Sequence, residues 1–106
     1  MVDLAIDELD RVYRALGSGP RREVVARLVG GPLAIGDLRG EFAFTKQAMT
    51  KHVAQLEAAG IVSRSVDGRR HLLTLEPNVL DEATAWLARV RSGWEVTFDA
   101  LEEHLR

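Results

Sequence analysis

Lys46 and Lys51, the two lysines of the chain, stand close together with Gln47 and Thr50 between them. These residue types can do one coherent piece of chemistry. Two ammonium groups can meet phosphates or guanine edges, a carboxamide can pair bidentately with adenine, and a threonine offers a hydroxyl and a methyl. All four share one side of a helix if TKQAMTKHVAQLEAAGIV, Thr45 to Val62, is helical. Met49, Val53 and Leu56 then repeat at i, i+4 and i+7 on the opposite side, flanked by Ala48, His52 and Ala59. Thr45 stands where an N-cap is needed, and Gly60 supplies a residue able to adopt the left-handed conformation that ends helices. Such a face suits the major groove of DNA. A merely solvated helix face is the alternative.

The next residues add a second basic feature. Val62 to Val66 alternates as a strand does, Asp67-Gly68 is a two-residue hairpin signal, and Arg70 to Leu75 alternates again with Leu73 and Leu75 inward. Arg69 and Arg70 fall at the tip and Arg64 on the outgoing strand. Cations on such a wing lie where it would run beside a phosphate backbone or enter a minor groove. An ordinary solvated hairpin is again the alternative, but helix and hairpin in succession carry more weight than either.

Other elements must position this pair. Ile6, Leu9, Val12, Tyr13 and Leu16 form a broad apolar face on a first helix over residues 4–16 (α1), which ends near Gly17. Ser18 and Pro20 start a second helix (α2, residues 18–29) with Val24, Val25, Leu28 and Val29 as its apolar set, stopped by Gly30-Gly31-Pro32. A short third helix (α3, residues 35–41) leads through Phe42 and Phe44 to the helix at Lys46 (α4, residues 46–59), a helix-turn-helix arrangement. After Glu76-Pro77 a long helix (α5, residues 78–104) carries Leu80, Ala83, Leu87, Val90, Trp94, Phe98, Leu101 and Leu105 at alternating steps of three and four, with Gly93 as a point of bending. The expected fold is mainly α with a small β-hairpin, in one domain over residues 1–106.

Composition bounds the function. With 106 residues, 46% hydrophobic and 28% charged, the chain suits one globular domain small enough to gain from oligomerisation. No run approaches the roughly 18 apolar residues of a membrane span, and Met1 opens an acidic segment. A cytoplasmic protein without a membrane partner is expected. The absence of cysteine excludes disulfides, thiol redox sensing and thiolate metal sites. An enzyme is disfavoured too, since there is no Ser-His-Asp order, no phosphate-cradling glycine loop and no plausible pair of buried carboxylates. The net charge of −2 hides a division along the chain. Residues 45–75 carry five basic side chains against two acids, while residues 76–106 carry three against seven. Cations thus concentrate on the helix and hairpin, and acids on α5, away from a nucleic acid.

Helices α1 and α5 present more apolar surface than so small a core can use. Leu9, Tyr13, Leu87, Val90, Trp94, Phe98 and Leu101 are the expected dimer interface, with the aromatic residues as anchors. The competing arrangement packs Trp86 and Trp94 internally against α1.

These residues together resemble the ArsR/SmtB-type winged-helix transcriptional repressors of bacteria. RALGSGPRREVVARLVGGPLAIGDL, Arg14 to Leu38, looks like the family's opening, with Pro20, Arg21, Ile35 and Leu38 at the matching positions. The recognition-helix signature, S-x-H-L followed by L-x-x-A-G-L-V, is matched by Thr50, His52, Val53, Leu56, Ala59, Gly60, Ile61 and Val62. DGRRHLLTL, Asp67 to Leu75, looks like the wing. The resemblance implies a winged helix-turn-helix of order α1-α2-α3-α4-β-β-α5, a homodimer through α1 and α5, and α4 in the major groove. It implies further that His52 packs or hydrogen-bonds inside the domain.

The chain departs from the family where metals are sensed. Cysteines near α3 are missing, as are Asp and His pairs on the last helix, and His104 with Asp99 and Glu103 is a poor substitute for four well-placed ligands. No metal, no cofactor and no identifiable effector are expected. The expected function is a homodimeric repressor on an inverted-repeat operator of double-stranded DNA. Thr45, Lys46, Gln47, Thr50 and Lys51 would contact the groove and Arg64, Arg69 and Arg70 would serve the wing. The alternative is a winged-helix module that binds protein and leaves DNA alone.

Overall fold

The computed structural model describes residues 2–105, with side chains from residue 6 onward, so the ends of the expected 1–106 domain lie outside the described residues. The order is α1 (Val2–Leu16), α2 (Gly19–Leu28), β1 (Leu33–Ala34), α3 (Ile35–Phe42), α4 (Lys46–Ala58), β2 (Val62–Asp67), β3 (Arg70–Leu75) and α5 (Pro77–Leu105). The five helices match the expected ones to within two or three residues at each end.

Local chemistry explains the breaks between helices. Ser18 is extended and its Oγ accepts from the Arg21 N–H at 3.4 Å, opening α2 with Pro20 in its first turn. The following arginines turn back. Arg21 Nε donates to the Ala15 carbonyl at 2.7 Å and Arg22 Nη1 to that of Leu16 at 2.7 Å. They satisfy carbonyls that the last turn of α1 leaves without helical partners. Beyond Leu28 the chain leaves the core. Val29 is 74% exposed, which corrects its expected place on the apolar face of α2. Val29 is the C-cap of α2, still helical at φ −58° and ψ −32°, and it is exposed because it stands at the very end of the helix, where the chain turns out through Gly30 and Gly31.

The hairpin is part of a three-stranded antiparallel sheet of order β1-β3-β2. Leu33 pairs with Leu73 and Ala34 with Leu72, a strand not foreseen from sequence. The hairpin turn also lies one residue further on than expected. Asp67 pairs with Arg70, leaving Gly68 and Arg69 as the loop. Gly68 has φ +63° while Arg69 is not in the positive-φ region, the sign pattern of a turn with glycine at its first central position.

The core gathers one side of each element. Val12 and Ala15 of α1, Val24 and Leu28 of α2, Leu38 of α3, Met49, Val53 and Leu56 of α4, and Leu73 of β3 are buried together. Leu75, expected inward, is half-buried. Of α5, Ala83 is the residue buried in this cluster, with Val79 and Leu80 packed against it. Helix α5 runs on through Gly93 without interruption for 29 residues, roughly 43 Å at 1.5 Å per residue. Beyond Ala83 it leaves its apolar side uncovered: Trp94 is 67%, Phe98 51% and Leu101 55% exposed, and Leu87 and Val90 are exposed as well. No helix among the described residues is long and apolar enough to cross a membrane.

Candidate nucleic-acid interface

Helix α3, the turn and α4 form the expected helix-turn-helix. Ala43 closes α3 in the left-handed region at φ +54°, and Phe42 and Phe44 stack across it with ring centroids 5.4 Å apart. Thr45 is extended, and its Oγ1 accepts from the Ala48 N–H at 3.0 Å, the expected cap. At the other end Gly60 takes φ +75° and the Ile61 N–H reaches back to the Leu56 carbonyl at 3.0 Å. Both ends of α4 are therefore fixed by residues the sequence announces.

With Met49, Val53 and Leu56 buried, Lys46, Gln47, Thr50 and Lys51 are exposed on one face. Thr50 turns its hydroxyl proton back to the Lys46 carbonyl at 2.9 Å, so it offers outward a methyl and oxygen lone pairs rather than a donor. Gln47 keeps its exposed carboxamide at the first turn, beside the helix N-terminus where backbone N–H groups favour an anion.

Between α3, α4 and the wing lies a cleft of about 480 Å³. Arg39, Lys46, Arg64, Arg69 and Arg70 line it together with Asp37, over an apolar floor that includes Ile35, Met49 and Val53. Helix and wing cations thus converge, although they come from separate elements. Lys51, on α4, is not among the lining residues. Arg39 was not foreseen. It lies on α3, where its Nε donates to the Phe44 carbonyl at 3.3 Å, and its only sequence signal is its position just before the turn.

The wing arginines differ in their engagements. Arg70 reaches Asp37 at 3.5 Å with both side chains well exposed, an ion pair that solvent and salt weaken. Arg64 is held more tightly. Its Nη2 donates to Glu57 Oε1 at 2.7 Å, and its Nη1 to His71 Nδ1 at 3.4 Å.

His52 is on the inner side of α4, with its ring 5.1 Å from that of Phe44. It packs as expected. Its Nδ1 is sealed from solvent and makes no hydrogen bond among the described residues. Burial, and then the charge of Arg21, hold the imidazole below its ordinary pKa of 6.5, so the neutral form is favoured. Among the described residues no group of three or more His, Asp or Glu is arranged to hold a metal ion.

The expected interface residues of α1 and α5 are split. Leu9 and Tyr13 are half-buried, and Tyr13 is engaged within the chain, its hydroxyl bonded to Ala83 and its ring meeting Trp86 edge-on at 5.8 Å. Leu87, Val90, Trp94, Phe98 and Leu101 remain exposed. Trp94 packs on Phe98 of its own helix, with centroids 6.2 Å apart, so the internal arrangement holds in part for Trp86 alone.

Comparison with known proteins bears on this geometry. No family model matches the chain. It is 37% identical over 71 residues to the HTH-type transcriptional regulator Rv2034 of Mycobacterium tuberculosis, a match covering 67% of this chain and 66% of that protein, just under two thirds of its length. It is 25% identical over 79 residues to the transcriptional repressor SdpR of Bacillus subtilis, covering 74% of this chain and 88% of the repressor. Among solved structures, an ArsR family transcriptional regulator superposes with a TM-score of 0.79 at 29% identity, over 84% of this chain and 92% of the other.

Proposed function

We propose that the chain is a member of the ArsR family of winged helix-turn-helix transcriptional regulators, and that it acts as a cytoplasmic homodimer that represses transcription by occupying an inverted-repeat operator. The observation that carries this reading is the convergence of Lys46, Arg39, Arg69 and Arg70 on one cleft beside the exposed Gln47 and Thr50. Phosphate contacts set register and base contacts read sequence. In this proposal Gln47, Thr50 and Lys51 face base edges, Thr45 and Lys46 lie at the helix N-terminus where a phosphate is favoured, and Arg69 and Arg70 follow the backbone on either side. The exposed apolar side of α5, from Leu87 to Leu101, meets its counterpart in a second copy, and Leu9 extends the contact onto α1.

A protein-binding module would not need this arrangement. Its partner surface would be α5, and nothing in that role calls for cations gathered between α3, α4 and the wing. The two readings separate in one experiment: selection from a pool of random duplexes. The proposal expects an imperfect palindrome with half-site centres about 10 base pairs apart, or a multiple of one helical turn. A pool that shows no enrichment over repeated rounds at low salt contradicts it.

A further inference from the structure

We propose that Glu57 and Arg64 are positioning residues that fix the wing against the recognition helix, and that Arg64 is a brace and not a phosphate ligand. This rests on the reading of the protein as a DNA binder.

On β3 Leu73 is buried and pairs with Leu33 of β1 and Arg64 of β2, so the core holds the wing at that level, and apolar packing gives out beyond Leu72. On β2 Val62 is buried at the root, but every residue from Ser63 to Asp67 is exposed, and Val66 is 62% exposed. The cations proposed to follow the backbone, Arg69 and Arg70, lie beyond that unpacked stretch. Past the level of Leu72 and Ser65, orientation depends on polar contacts. Two connect the wing beyond its root to the helices. The Arg70–Asp37 pair spans 3.5 Å between side chains about two-thirds exposed. The Arg64–Glu57 pair spans 2.7 Å with each side chain only about one-third exposed. The second is the shorter and better shielded, and the same guanidinium reaches His71 on β3 at 3.4 Å. One planar, rigid donor set thus joins α4, β2 and β3. The Glu57 carboxylate offsets the charge of this guanidinium and fixes its direction, so Arg64 is a weaker phosphate ligand than the more exposed Arg69 and Arg70.

The assignment predicts an effect of unusual sign. Removing a carboxylate from the DNA-binding half of a protein should by charge alone strengthen binding to DNA. Freeing Arg64 to meet a phosphate would act in the same direction. If Glu57 positions the wing, Glu57→Gln instead weakens operator binding by about two- to fivefold, the range a partly exposed ion pair supports. In an Arg64→Ala background the same substitution has no such effect, because the brace is already gone.

The test pairs two measurements on the full chain. Amide hydrogen exchange of the free protein should show Ser65 to Arg70 exchanging faster in Glu57→Gln, with Leu56 and Leu73 in the core unchanged. Titration of a selected operator duplex should then show the weaker binding, and its disappearance in the Arg64→Ala background. Unchanged wing exchange, or operator binding as tight as or tighter than the parent's, overturns the assignment. If wing exchange rises while the parent binds no duplex at all, the brace stands and the DNA-binding reading fails.

Discussion

The Tyr13 hydroxyl donates to the main-chain carbonyl of Ala83 across 2.6 Å, joining α1 to α5 over a separation of 70 residues. This bond and the edge-on approach of Trp86 set where the long helix leaves the domain. Tyr13→Phe keeps the ring packing and removes the bond. It should lower stability by about 1 kcal/mol, the usual net value of one such hydrogen bond, as read from urea unfolding. A variant as stable as the parent would show that the bond adds nothing.

The uncovered side of α5 should dominate self-association. Trp94→Ala removes an aromatic anchor that is 67% exposed in the single chain, so folding of the protomer should survive. Dimerisation should weaken by about 2 kcal/mol or more, the scale of a buried interface anchor. Sedimentation equilibrium, with circular dichroism to check helicity, reads both. A parent monomeric at micromolar concentration would contradict the dimer.

The pH dependence follows from His52. Its folded-state pKa lies below the ordinary 6.5, so between the two values the unfolded chain binds more protons than the folded one. Stability therefore falls as pH drops below about 6.5, and levels off once the folded-state pKa is passed. The groups near the ring explain the direction: Phe44 offers no acceptor, and Arg21 adds a like charge. His52→Gln should flatten the parent's fall between roughly pH 6.5 and 5, before carboxylates titrate. Equal slopes in denaturant titrations of both proteins over that range would refute this.

Base reading can be separated from positioning at Gln47. Replacement by Ala should cost about 1 to 3 kcal/mol on the preferred duplex and relax sequence preference. Equal affinity and preference in competition binding would remove Gln47 from the readout.

Much of this architecture was legible in the residues because it is written locally. The Thr45 cap, the Met49, Val53 and Leu56 stripe and Gly60 lie within one helix and its ends, and all behave as expected. What escaped depends on partners distant in sequence. A two-residue strand at Leu33 has no period to detect, and its partner Leu73 is set by tertiary packing. The turn shifted because Asp67 takes a ladder position opposite Arg70, leaving Gly68 to supply the positive φ. Arg39 meets Lys46 and the wing arginines in a cleft built from separate elements, a convergence no local pattern records. Likewise Arg64 pairs with Glu57 across two elements, with no pattern linking them in the sequence.

The central claim, that α4 and the wing grip the DNA backbone, is tested most directly by the salt dependence of binding to the selected operator. The parent should lose affinity steeply as salt rises. Replacing Arg69 and Arg70 by Ala should make the slope of log K against log salt shallower by about 0.9 for each phosphate no longer neutralised, with affinity falling on all sequences alike. A parent that binds no duplex at low salt, or a double variant whose slope matches the parent's, would contradict the account.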